Sequence, residues 1–226
     1  MFTRKRRTQP LAELQQLISL LRTPRETSGG FVIEFIGADD GDGTSTVARD
    51  FALLAAQELD LAVVLLDLNW PDNPQFHFFA ASNVMRTWYL NAQGLLLAAE
   101  NSDDPSLLPA TTQIAFHQVG ESTLVVSEAH SDLAQHTYYP GSGADFWRAL
   151  RGSVDIVVID APAAHRSLSG VMVAPEADAV VLVIAAEDTL MDEAMMLRNR
   201  ILLQGGRPAG IVFNRYRLPS FFQGGA

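Results

Sequence analysis

Residues 31–48, FVIEFIGADDGDGTSTVA, limit what this chain can fold into more than any other stretch. An apolar run from Phe31 to Ile36 stops at a glycine-rich turn, Gly37 to Gly43. Thr44, Ser45 and Thr46 follow, and Val47, Phe51 and Leu54 then open a helical pattern. Strand, glycine loop and helix start form the outline of a phosphate-binding P-loop. In such a loop, backbone N–H groups and a helix N-terminus cradle phosphates, and a lysine adds a full positive charge. The lysine is missing here. Where the motif has Gly-Lys-Ser/Thr, this chain has Gly43-Thr44-Ser45.

The chain has no lysine to send from elsewhere except Lys5, in its N-terminal tail. Arginine's planar fork is not a direct substitute for a compact ammonium. The loop carries Asp39, Asp40 and Asp42 instead. A carboxylate about 4 Å from a phosphate charge costs roughly 4 kcal/mol at an effective dielectric constant of about 20, and much less if it turns into solvent. The architecture indicates a nucleotide, and the loop chemistry argues against ordinary ATP binding. We read the segment as a degenerate, inactive P-loop. The bland alternative is a strand, turn and helix with chance glycines.

At 226 residues, the chain suits one α/β domain with a short appendage. A net charge of −10 argues against non-specific nucleic-acid binding by the body of the protein. The absence of cysteine removes disulfides, thiolate catalysis and cysteine–zinc sites together, and is compatible with the cytoplasm. No apolar stretch reaches the roughly 18 residues of a membrane span. The basic N-terminus has no apolar segment after it and does not read as a secretory signal. Its cluster Arg4, Lys5, Arg6 and Arg7 suits peripheral contact with anionic lipid or an acidic partner; the plain alternative is a solvated terminus.

Residues 10–22 read as an amphipathic helix, with Leu11, Leu14, Ile18 and Leu21 on one stripe and Glu26 to Gly30 as a linker. A helix is expected over 44–58 and a doubly buried strand over 61–66, ending at Asp67. From 70 to 121 we expect loops, short helices and a mobile segment. A strand is expected at 123–126. His130 and His136 lack a metal-ligand spacing, so zinc is not expected. An apolar strand over 154–159 ends at Asp160, the Walker B pattern, with an ordinary strand-end aspartate as its plain alternative. Further strands are expected at 178–185 and 208–213, around a helix that begins near the capping box Thr189 to Asp192 and buries Ala194, Leu197 and Ile201. Met195 and Met196 read as core or surface filler, not as a ligand site. This alternation predicts an α/β fold, a mainly parallel sheet with helices on both faces.

Taken together, these segments resemble the MinD/ParA-like P-loop ATPases, most of all the cytoplasmic domain of bacterial tyrosine kinases in capsule and exopolysaccharide systems. The likeness runs over residues 10–217. GADDGDGTST at 37–46 aligns with a loop like SARPGEGKST, matching at Gly41, Gly43, Ser45 and Thr46 and departing at Thr44. LLDLNWPDNP aligns with LIDADLRRP, with Asp67 kept and Asn69 at the second acidic position. VDIVVIDAPA aligns with YDYVIIDTPP through Asp160 and Pro162, and ADAVVLVI with ADGVLLVV. Phe213-Asn214-Arg215 corresponds to a closing LNR near the adenine. The family's Glu-x-x-Arg-x-x-Arg, which helps ring assembly, falls on Glu13, Gln16 and Ser19, and its C-terminal tyrosine cluster is reduced to Tyr216.

The resemblance implies a P-loop NTPase-like domain over 31–217, a basic tail, helix and linker over 1–30, and a C-terminal tail over 218–226. It implies nucleotide contacts by Gly41, Gly43, Thr44, Ser45, Thr46 and Asn214. If Mg²⁺ binds, Ser45, Asp67 and Asp160 would hold it, with Asp67 and Asp160 carrying any catalysis. With the lysine and the tyrosine tail gone, we expect a pseudokinase, more scaffold than enzyme, with no cofactor. It would act in the cytoplasm, at the inner face of the membrane, on a polysaccharide co-polymerase or export component. A homodimer fits the family, and nucleic acid is not an expected partner. The alternative is a working ATP- and Mg-dependent switch in which Arg166 or a partner's arginine replaces the lysine. A third reading, a positioning ATPase on DNA or membrane, has the basic tail as its direct support.

Overall fold

The computed structural model describes residues 29–80, 84–90, 96–98, 114–129, 144–186 and 191–215. The basic cluster Arg4 to Arg7, the 10–22 segment, His130, His136, Thr189 and Tyr216 lie outside the described residues. Among the described residues, nine strands form one sheet in the order β4-β3-β5-β6-β2-β7-β1-β8-β9. They are β1 (Phe31–Gly37), β2 (Val63–Asp67), β3 (Val84–Leu90), β4 (Leu96–Ala98), β5 (Ile114–Val119), β6 (Leu124–Ala129), β7 (Ile156–Asp160), β8 (Ala179–Ala185) and β9 (Pro208–Asn214). The helices are α1 (Thr44–Glu58), α2 (Pro74–Phe79), α3 (Ala144–Ser153), α4 (Ser169–Val173) and α5 (Met191–Leu203).

From β6 to β9 every neighbouring pair is parallel. The continuous apolar runs of β1, β2, β7 and β8 are buried from end to end, as strands covered on both faces must be. Two cores result, one on each face. Phe31, Ile33 and Phe35 of β1 pack with Val47, Phe51 and Ala55 of α1, and Phe79 of α2 joins them. Val32 and Ile36 point the other way, to Trp147 and Leu150 of α3, Val171 of α4, and Leu197 and Ile201 of α5. The sequence-based reading of helices on both faces is what the fold has.

The region 70–121 departs from expectation. α2 is a short helix, but β3, β4 and β5 are strands that extend the sheet antiparallel from β6. Their pairing is non-local: Trp88 faces Phe116, and Phe116 faces Ser127. Residue pattern is a weak guide where cross-strand packing decides the state. Met195 and Met196 are exposed, on the surface rather than in the core.

This topology delivers the site. In parallel β2 and β7, Asp67 pairs in register with Asp160, side by side at the C-terminal edge. The glycine loop leaves β1 next to β7 at the same edge, the side where ligands bind open α/β sheets.

Candidate functional site

The loop between β1 and α1 owes its shape to glycines at positive φ. Gly41 has φ +89° and Gly43 φ +84°, in the left-handed region that costs glycine nothing. Gly43 is the N-cap residue of α1, with no side-chain cap, and its carbonyl accepts from Thr46 N at 3.0 Å and Val47 N at 3.0 Å. A side chain at Gly43 would also run into the Asn214 amide.

The loop's own side chains turn inward. A Cβ on Gly37 would lie 2.6 Å from Thr44 Oγ1 and 2.9 Å from Asp42 Oδ2. Thr44, in the lysine position, is buried at 8% exposure and folded over Gly37. Asp42 is 1% exposed. Its Oδ2 accepts from Asp39 N at 3.0 Å and its Oδ1 from Ala185 N at 2.9 Å. The reading that placed three acids in the path of an anion is therefore corrected for Asp42, which binds loop and sheet N–H groups itself. Asp39 and Asp40 are half-exposed and face the segment after β7: His165 Nδ1 is 3.2 Å from Asp39 Oδ1, and Arg166 Nη1 3.6 Å from Asp40 Oδ1. Ala164 N donates to Gly37 O at 2.9 Å, so this segment runs along the loop's base. Asn214 Nδ2 donates to Asp42 O at 2.8 Å, and Asn214 Oδ1 accepts from Arg215 N. Thr46 is exposed, as is Gly41 at the loop's crown.

Beside the loop, Ser45, Asp67 and Asp160 do converge. Both aspartates are almost fully buried. Burial pushes Asp67 up to about 7, with the adjacent Asp160 charge adding to the shift and backbone N–H bonds from Gln75 and Asn69 opposing it. Burial likewise pushes Asp160 up to about 6, against the Gln75 amide and the nearby Ser45 side chain. Two buried carboxylates side by side favour a shared proton or a cation.

Gln75 and Arg49, which no motif marked, complete the cluster. Gln75 is fully buried at the start of α2. Its backbone N donates to Asp67 Oδ2 at 2.9 Å. Its Nε2 donates to Asp160 Oδ2 at 2.6 Å and to Ser45 O at 2.9 Å. Arg49 Nε donates to Gln75 Oε1 at 2.8 Å, and its guanidinium lies 3.6 Å from the centroid of the Phe78 ring. The one signal in sequence was position: Arg49 lies one helical turn after Ser45.

A Mg–nucleotide fits these residues poorly. Thr44 offers no charge, and Asp42 occupies the Asp39 N–H. Both Asp67 oxygens and one Asp160 oxygen already accept hydrogen bonds. Asp160 Oδ1 is left buried, with no partner in hydrogen-bond geometry. Mg²⁺ takes six oxygens in near-ideal octahedral geometry.

No family model and no curated protein matches the chain. Solved structures do. The fold is that of P-loop NTPases of the MinD/ParA type: MinD of Pyrococcus horikoshii OT3, solved with Mg-ADP, is similar at 18% identity and TM-score 0.56 over 83% of this chain and 71% of that one. Bacterial tyrosine kinase domains share it. The VpsO kinase domain is similar at 20% identity and TM-score 0.61, over 92% of this chain and 96% of that one. The kinase domain of the Escherichia coli tyrosine kinase ETK is similar at 16% identity and TM-score 0.62, over 92% and 78%. No helix among the described residues is long and apolar enough to cross a membrane.

Proposed function

We propose that this chain is a catalytically degenerate P-loop protein. It works as a scaffold or regulator in exopolysaccharide or capsule synthesis or export, at the cytoplasmic face of the membrane, bound to a membrane-embedded chain-length or export component. The observation that carries the reading is the inward-turned loop: Thr44 is buried over Gly37 and Asp42 accepts Asp39 N–H. A loop satisfied by its own groups gains little from an anion, because the anion must displace bonds already made. The basic residues Arg4 to Arg7 supply the contact with the anionic membrane surface. The test is titration calorimetry with Mg-ATP, expected to give no binding at micromolar concentrations; a fitted micromolar Kd would refute the reading. Co-purification with the membrane component of the same biosynthetic system tests the partner.

One observation favours a second reading, a working nucleotide switch. Ser45, Asp67 and Asp160 lie close together at the sheet edge, which supports it. An ATPase rate abolished by Asp160→Asn would establish that reading in place of the first.

A further inference from the structure

We infer that Gln75, backed by Arg49, is the built-in occupant of the divalent-cation position: a side-chain amide stands in this chain for the metal that an acidic pair beside a P-loop seats. The inference rests on the reading of a retired site, but it fails separately from it.

The orientation of the amide is set by chemistry. The nitrogen faces two acceptors, Asp160 Oδ2 and Ser45 O, and the oxygen faces a donor, Arg49 Nε. Flipped, the amide oxygen would meet a carboxylate and a carbonyl, and its nitrogen a guanidinium. One Nε2 proton is therefore spent on a carboxylate oxygen that a cation would otherwise satisfy, and the other on a main-chain carbonyl of the first turn of α1. The backbone N–H of the same residue takes Asp67 Oδ2. One residue thus touches both members of the acidic pair and the carbonyl of the loop serine.

Arg49 supplies the charge at one remove. Its guanidinium polarises the amide through the oxygen, which strengthens the donors on the nitrogen. The Phe78 face holds it there. The occupant is delivered by a clamped element. Asn73, at φ +40°, donates through Nδ2 to Ala129 O at 2.9 Å and accepts from Ala129 N at 2.9 Å. This pair of hydrogen bonds to the end of β6 fixes the start of α2 two residues before Gln75. The second mark is Asp160 Oδ1, a buried oxygen that no donor meets in full hydrogen-bond geometry, with the Ser45 side chain nearby. It is the atom from which a cation would bind if the amide were withdrawn.

The experiment compares the full chain with its Gln75→Ala variant, without nucleotide, in chelator and in millimolar Mn²⁺. Thermal unfolding and the Mn²⁺ electron paramagnetic resonance signal are read together. The wild type is expected to bind no Mn²⁺ and to keep its Tm. Gln75→Ala is expected to melt lower in chelator, to bind Mn²⁺, and to recover at least half of the lost Tm with it. If Gln75→Ala does not fold, Gln75→Asn, one methylene short of Asp160, is read in the same way. A loss that Mn²⁺ does not restore would make Gln75 a strut and overturn the inference. So would Mn²⁺ binding by the wild type. Because nucleotide is left out, neither result depends on whether Mg-ATP binds.

Discussion

Gly43 and Asn214 are 171 positions apart in sequence and in contact in the fold. Gly43→Ala meets two penalties there, a left-handed backbone and a collision with the Asn214 amide. A loss of about 2 kcal/mol or more is expected in urea unfolding. Asn214→Ala in the same chain removes the collision and should return part of that loss, a coupling that a double-mutant cycle reads directly. Glu34 poses a different question. It lies on β1, inside the parallel part of the sheet, fully buried, with neither carboxyl oxygen hydrogen-bonded. Burial raises its pKa well above the usual carboxylate range. The folded state then holds a proton that the unfolded chain releases above about pH 4.3, so stability falls as pH rises, by up to about 1.4 kcal/mol per pH unit until the folded pKa is passed. Glu34→Gln should match the wild type near pH 4 and exceed it increasingly toward pH 8, as measured by urea unfolding across that range. Sequence marked Gly43, Asn214 and the two aspartates because motifs carry them. It was silent on Glu34, one acid inside an otherwise apolar strand, and on Gln75, whose role exists only once α2 packs on β2 and β6.

Among the elements, α1 was legible almost to the residue. Its apolar positions recur at helical spacing, and Val47, Phe51 and Leu54 are buried as that spacing requires. Phe51→Ala should cost about 3–5 kcal/mol by thermal or urea unfolding, because Phe51 is fully buried against Phe35 with ring centroids 5.3 Å apart. The antiparallel strands were not legible. In β5, Ile114, Ala115 and Phe116 are all buried, so the strand shows no alternation to separate it from a loop or a short helix. α2 is six residues long, too short to hold by propensity, and depends on its tethers. Asn73→Ala removes both bonds to Ala129 and leaves a left-handed backbone without the polar side chain that tolerates it. Expected results are a loss of about 1–3 kcal/mol and faster hydrogen exchange in α2 before any change in α1.

At the scale of the molecule, strand alternation announced the parallel sheet, but its order is a property of packing that no local stretch encodes. The bottom of the sheet is closed by one charged cluster. Arg151 Nη1 lies 2.6 Å from Asp178 Oδ2, in a pair whose side chains are 18% and 12% exposed, and it also donates to Gly30 O. Arg151 Nη2 donates to Glu176 O, and Val32 N to Asp178 Oδ2. One guanidinium thereby joins α3, the entry to β1 and the entry to β8. Arg151→Ala leaves a part-buried carboxylate without its cation and should cost about 1.5–3 kcal/mol in urea unfolding. Leu203→Lys, on the outer surface of α5 at 86% exposure, should change stability by less than about 0.5 kcal/mol.

The inward-folded Asp42 has one further consequence. A switch needs two states that a ligand tells apart, and a ligand shifts them by no more than its preference for one. On the reading proposed above, a loop held by its own carboxylate offers such a messenger no second state to choose. Regulation of a molecule built this way would pass to supply and encounter: how many copies the cell makes, and what surface they meet.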